Sequence, residues 1–161
     1  MSDPFPLQVL KALTSSLEEI TIAGGYRHDL PGRVFRGRML YGDGDPIPML
    51  SINSPPMPPE DIEPPRGSQI NKTTLDLLIQ GFVADDIQNP TDPAYLLLDD
   101  VQKRLAVERS RDDGYDVLGF GARVQMSVGQ GVVRSPDSVV SDTAYFWLPI
   151  ALEFAEDFLA R

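Results

Sequence analysis

The chain has 161 residues, a net charge of −10 from 14 Lys+Arg against 24 Asp+Glu, no Cys, one His and 15 Pro. At this length one domain spanning residues 1–161 is expected, and a folded chain of 17.8 kDa hides about 70% of its extended surface, enough for a core of its own. The lack of Cys excludes disulfides, thiolate metal sites and cysteine nucleophiles, the acidic balance argues against groove-type nucleic-acid binding, and no apolar run reaches the roughly 20 residues of a membrane helix.

The opening MSDPFPLQVLKAL lacks the basic start and cleavage site of a signal peptide, so residence inside the cell is expected. Asp3 is placed to cap a first helix with Pro4 at its first position. Leu10, Leu13, Leu17 and Ile20 recur at the spacing of one helical face, with Glu18 and Glu19 opposite and Gly24-Gly25 as the stop. Val34 to Gly42 is rich in β-branched and aromatic residues. The turn chemistry of Gly42-Asp43-Gly44-Asp45-Pro46 then predicts a β-hairpin with Ile47 to Asn53. Between Ser54 and Asn71, Pro55, Pro56, Pro58, Pro59, Pro64 and Pro65 argue against helix or ladder, and the stretch reads as an extended, semi-rigid arm.

Thr73 to Asp85 predicts a strand, with Leu75, Leu77, Ile79 and Val83 inward and Thr74, Asp76 and Gln80 outward. Asp92 to Val107 predicts a second helix, with Pro93 in its first turn and Leu97, Val101 and Leu105 four apart. After a polar connection at Arg109 to Asp116, strands are expected at Val117 to Phe120, Val124 to Val133 and Ala144 to Phe154. In the last, Ala144, Phe146, Leu148, Ile150, Leu152 and Phe154 alternate with Tyr145, Trp147, Pro149, Ala151 and Glu153, and Pro149 restricts the strand to an edge or a bulge. A helix over Pro149 to Ala160 also fits Ile150, Phe154 and Phe158; the alternation favours the strand, with Glu156 to Arg161 as a tail. The order α-β-β-arm-β-α-β-β-β predicts an α+β fold, a mostly antiparallel sheet with two helices packed on one face and a long Pro-rich arm.

Signals for chemistry are sparse. His28, the only His, could pair with Asp29 and a serine, but no serine stands in a G-x-S-x-G turn, so an exposed or partner-contacting His28 is the expectation. Counting twelve from Asp43, where a calcium loop needs a bidentate Glu, lands on Ser54, and a turn is expected instead. Gly119-Phe120-Gly121 and Gly129-Gln130-Gly131 lack the further residues of a phosphate loop; inside strand-like runs they suggest bulges or close backbone approach. Asp85-Asp86, Asp99-Asp100 and Asp112-Asp113 are sequence neighbours that do not face each other on a helix, so solvated surface is expected. Asn71-Lys72-Thr73 is a glycosylation sequon by pattern alone. Arg27, Arg33, Arg36 and Arg38 cluster near the first strand, where guanidinium forks suit carboxylates across an interface of the chain with itself; an ordinary mixed surface is the alternative. No cofactor and no metal are expected.

The ordering as a whole resembles the tail terminator proteins of long-tailed bacteriophages, the lambda type. The carrying segments are the N-terminal helix (Pro6 to Ile20), GYRHDLPGRVFRGRMLYGDGDPIPMLSI, TTLDLLIQGFVADD with PAYLLLDDVQKRLA after it, and the closing TAYFWLPIALEF. The resemblance implies a structural virion protein without catalytic residues, assembled in the host cytoplasm. It would form a hexameric ring that caps the tail tube, stops its polymerisation and docks the head connector, with DNA passing through an acidic lumen unbound. Partners would then be other copies of the chain, the tail tube protein and the connector. Contacts are expected at Arg36 and Arg38 in the first strand, Asp43 and Asp45 in the turn, Met57, Ile62 and Arg66 in the arm, and Tyr145 and Trp147 in the last strand. Other readings are a different neck or tail-completion protein, a small-molecule-binding or hydrolytic domain around His28 and Asp29, and an adaptor offering SPPMPPEDIEPP to a partner groove.

Overall fold

The computed structural model describes residues 3–37, 46–54, 70–134 and 143–157. In chain order the elements are α1 (Phe5–Leu17), β1 (Val34–Arg36), β2 (Met49–Asn53), β3 (Ile70–Ala84), α2 (Asp92–Ser110), β4 (Gln125–Val128), β5 (Val132–Arg134) and β6 (Thr143–Asp157), with three 3-10 turns between α2 and β4. They build a six-stranded sheet of order β1-β2-β3-β6-β4, with β5 also on β6. The fold is α+β, and every strand pair but one is antiparallel.

The sheet is organised by one long ladder. β3 and β6 pair without interruption from Ile70↔Asp157 to Ala84↔Thr143. Because side chains alternate, Leu75, Leu77, Ile79 and Val83 share a face with Ala144, Phe146, Leu148, Ile150, Leu152 and Phe154, as their alternation predicts. Phe5, Val9, Leu13 and Leu17 of α1 and Leu97, Val101 and Leu105 of α2 pack with them in one core. At its centre lies the Phe146 ring, seated over Gly81 directly across the ladder; a Cβ at Gly81 would stand 2.1 Å from that ring. Glycine is required there by the ring and not by the backbone.

Several expectations are corrected. β1 and β2 do not form a hairpin: Val34↔Leu50, Phe35↔Ser51 and Arg36↔Ile52 run parallel. Gly37, with φ +77°, turns the chain out of β1 immediately after Arg36, and residues 37–48 supply the roughly dozen residues a parallel return needs. α1 starts at Phe5 with Pro4 as its N-cap, because Pro6 takes the first-turn position; Asp3 instead accepts from Lys11 Nζ at 2.7 Å. α1 also ends at Leu17 and not at Gly24-Gly25, although Ile20 is still fully buried where the chain turns across the core. Val117–Gly119 is a 3-10 turn in place of the expected strand, with Leu118 at φ +56° and Gly119 at φ +82°. β6 continues through Glu156 to Asp157, which excludes a helix starting at Pro149.

Pro149 lies in the interior of the sheet, between β3 and β4/β5, and is tolerated there by a bulge. Gly129 N–H donates to the Pro149 carbonyl at 2.8 Å, so the missing proline N–H points toward the β4–β5 side and not at β3. On that side the expected strand Val124 to Val133 is split. Val128 pairs Ile150 and Val132 pairs Trp147, so Gly129-Gln130-Gly131 stand opposite Pro149 and Leu148 with one extra residue. Both glycines are close approaches, as their place in a strand suggests: a Cβ would lie 2.8 Å from Pro149 Cγ at Gly129 and 2.7 Å from Leu98 Cδ2 at Gly131. Among the described residues the edges are thus β1, β4 with β5, and β3 beyond the end of β2; of the two readings for Pro149, an edge or a bulge, the bulge holds.

Candidate functional site

Two places concentrate functional side-chain types. The first is the sheet face opposite the helices. Here the register aligns Met49, Phe82, Tyr145 and Arg134 in one row across β2, β3, β6 and β5, and Ser51, Gln80, Trp147 and Val132 in the next. The Phe82 and Tyr145 ring centroids are 6.3 Å apart, those of Tyr145 and Trp147 5.7 Å, and the Arg134 guanidinium sits 5.9 Å from the Trp147 ring. Tyr145 and Trp147 are half-buried, while Pro149 and Val132 beside them are exposed. Toward the other end of the ladder this face turns polar, through Asp76, Ser127, Thr74, Glu153, Gln125 and Lys72.

Tyr145 and Trp147 are therefore brought together as expected, and Phe82 and Arg134 join them. Neither addition was legible from local sequence, since each depends on cross-strand register. Arg36 ends β1, and its guanidinium donates to Thr14 Oγ1 of α1 at 2.8 Å. Arg33 donates to the Pro48 carbonyl at 3.4 Å, and Arg27 belongs to a different cluster, so these three arginines do not form one patch. Arg38, Asp43, Asp45, Met57, Ile62 and Arg66 lie outside the described residues, as do most of the expected arm and the calcium-loop residues.

The second place surrounds His28. Asp29 does not orient it: Asp29 Oδ1 accepts the Ile22 N–H at 2.7 Å and closes the loop after α1. The partner is Asp100 of α2, whose Oδ2 lies 2.7 Å from His28 Nδ1 and also accepts the Arg27 N–H at 2.9 Å. With the carboxylate as acceptor, Nδ1 carries the proton. Asp100 is 1% exposed, and among the described residues its Oδ1 has no hydrogen-bond partner, the Arg27 guanidinium standing 3.8 Å away. The solvated surface expected at Asp99-Asp100 holds for Asp99 alone. Asp99 takes hydrogen bonds from Arg27 at 2.6 Å and pairs with Lys103 at 3.1 Å; the first and then the second hold its carboxyl below the ordinary range. Its hydrogen bond to Asp99 likewise raises Arg27. A His held by a buried carboxylate is the orienting half of a hydrolytic triad. The pair ties the loop after α1 to α2, and among the described residues no hydroxyl is bonded to His28.

Two turns further along α2, Glu108 makes a denser junction. Buried at 2% exposure, it accepts from Ser16 of α1 at 2.6 Å, Arg104 at 2.9 Å, Arg111 at 2.9 Å and the Leu118 N–H at 3.2 Å. Burial lowers Arg104, but Tyr26, Glu19 and Glu108 around it prevail and hold the guanidinium above its usual value. Asp100, Arg104 and Glu108 are spaced by four, a charged stripe flanking Leu97, Val101 and Leu105. Spacing by four alone reads as an exposed ion-pair face, so the burial of these charges was not legible in the sequence. Among the described residues, no group of three or more His, Cys, Asp or Glu side chains could hold a metal ion, and no helix is long and apolar enough to cross a membrane. No protein-family model matches the chain, and no curated protein matches it in sequence.

Proposed function

We propose that the chain is a structural subunit of a phage tail, a terminator that forms a hexameric ring at the head-proximal end of the tube, stops its polymerisation and docks the head connector. The observation that supports this most is the aromatic half of the open sheet face. Tyr145 and Trp147, half-exposed with Arg134 over the indole and backed by buried Phe82, are the residue types that carry protein–protein interfaces. They stand on the uninterrupted β3–β6 ladder, so little ordering is left to be done on docking. Heterologous contacts of this kind close into a ring when the rotation fits. Six copies at −10 would carry about −60, a field that repels DNA in transit. In this reading the protein belongs to the virion, contacting the tail tube protein, the connector and its own copies.

The test is location and stoichiometry. Cryo-EM of tails carrying a tagged copy is expected to show it at the head-proximal end, and native mass spectrometry a ring of about 107 kDa, six times 17.8 kDa. A position elsewhere on the tail would make it a different neck or tail-completion protein. A hydrolytic reading is favoured only by the His28–Asp100 pair. It requires that His28→Ala abolish an activity while assembly persists, whereas the terminator reading requires no such activity.

A further inference from the structure

β3 is longer than the strand beside it. β2 ends with Asn53 opposite Leu78, so residues 70–77 have β6 on one side and, among the described residues, no strand on the other. The direction of the backbone groups along this edge follows from two hydrogen bonds. Gly129 N–H to the Pro149 carbonyl directs Pro149 toward β4, so its even-numbered neighbours in β6 bond the odd-numbered residues of β3. On the other side Gly37 N–H to the Ile52 carbonyl directs Ile52 toward β1, which leaves Asn53 to bond Leu78. Both give the same parity: the N–H and C=O groups of Lys72, Thr74 and Asp76 point out of the sheet. All three residues are exposed.

We propose that this edge pairs antiparallel with the same edge of a second copy, about a two-fold axis through Thr74. The register is self-complementary. Thr74 falls opposite Thr74, and Lys72 falls opposite Asp76 on both sides of the axis, all on the open face of the sheet. Every outward N–H and C=O of the three residues then meets a partner, as an isologous contact demands. Threonine pairs and opposite charges across strands both favour the pairing. A lysine on an edge ordinarily deters strand addition, but here the aspartate two pairs away turns that deterrent into selectivity for the chain's own edge. Among the described residues Lys72 has a distant ion-pair contact, 3.9 Å to Glu153, with its side chain 76% exposed. Residues 71–77 span about 24 Å at ~3.4 Å per residue, a contact separate from the aromatic half of the face. A two-fold contact cannot by itself close a six-fold ring, so the proposal stands or falls apart from the terminator reading.

The experiment is sedimentation of the whole protein and of two charge variants. Lys72→Asp leaves an edge with aspartate at 72 and 76, and Asp76→Lys an edge with lysine at both. The native chain is expected to sediment as a species containing the dimer, twice 17.8 kDa, and each variant alone at half the native mass. Mixing the two variants one to one is expected to restore the native mass, since the two altered edges complement each other. Native protein that stays monomeric at every concentration, variants that keep the native mass, or a mixture that stays dissociated while each variant retains native circular dichroism would each overturn the pairing.

Discussion

The two faces of the β3–β6 ladder are made from alternate residues of the same two strands, yet they do different work. The covered face is apolar from Leu75 to Val83 and from Ala144 to Phe154, with Thr73 bonded to buried Glu156 at its far end, and both helices close over it. The open face carries the side chains with a polar handle: Tyr145 and Trp147 at one end, Lys72, Thr74, Asp76 and Glu153 at the other. Apolarity alone does not separate them, because Phe82 and Met49 of the open face are also buried. Polar groups stand among the rings of one face, whereas on the other Thr73 and Glu156 keep to one end, away from the Phe146 centre. The helix layer meets the same constraint, confining its buried charges to the Asp100, Arg104 and Glu108 stripe.

The largest effect is expected where charge is buried beneath the helices. Glu108→Ala strips Ser16, Arg104, Arg111 and Leu118 of their shared acceptor and leaves Arg104 to its ion pair with exposed Glu19, at a cost of about 3 kcal/mol in urea unfolding. A loss below about 1 kcal/mol would break the contrast between covered and open sides. Next comes Gly81→Ala, which drives a methyl into the Phe146 ring and is expected to cost about 1–3 kcal/mol; combining it with Phe146→Leu should recover part of this. His28→Ala removes a donor from buried Asp100 and is expected to cost about 1–3 kcal/mol by the same measurement.

On the open face the expected order of stability and function reverses. Trp147→Ala removes a half-exposed ring, so a stability loss of about 1 kcal/mol is expected, with ring assembly on tail tubes lost in electron micrographs. Intact assembly in that variant would move the contact elsewhere. The smallest effect is a pH response at Asp99. Its lowered folded pKa means that its contribution is full above the unfolded value of about 3.9 and is lost as pH falls through the folded one. A slight drop in thermal midpoint is therefore expected below about pH 4, absent in Asp99→Asn, and small because the pair is exposed.

Much of this was legible. The alternation of Ala144 to Phe154 and of Leu75 to Val83 announced the ladder, and Leu97, Val101 and Leu105 announced α2, because each signal repeats within one element. What was missed depends on distant partners. The parallel β1–β2 pairing is a property of the connection and not of either strand. Val117 to Phe120 looks like a strand by composition, but Glu108 captures the Leu118 N–H and bends the segment into a turn. The sequence sets His28 beside Asp29, whereas its carboxylate, Asp100, lies on a helix formed far downstream.

The bulge at Gly129-Gln130-Gly131 has a consequence for how this sequence can vary. It resets the inward–outward count between β4 and β5, so that Val133 faces the core and Val132 and Arg134 join Trp147 and Tyr145 outside. A single-residue deletion there would act as a frameshift in space. Arg134 would be driven inward and Val133 outward with no side chain altered, so indels within this triplet should be far less tolerable than substitutions at Gln130.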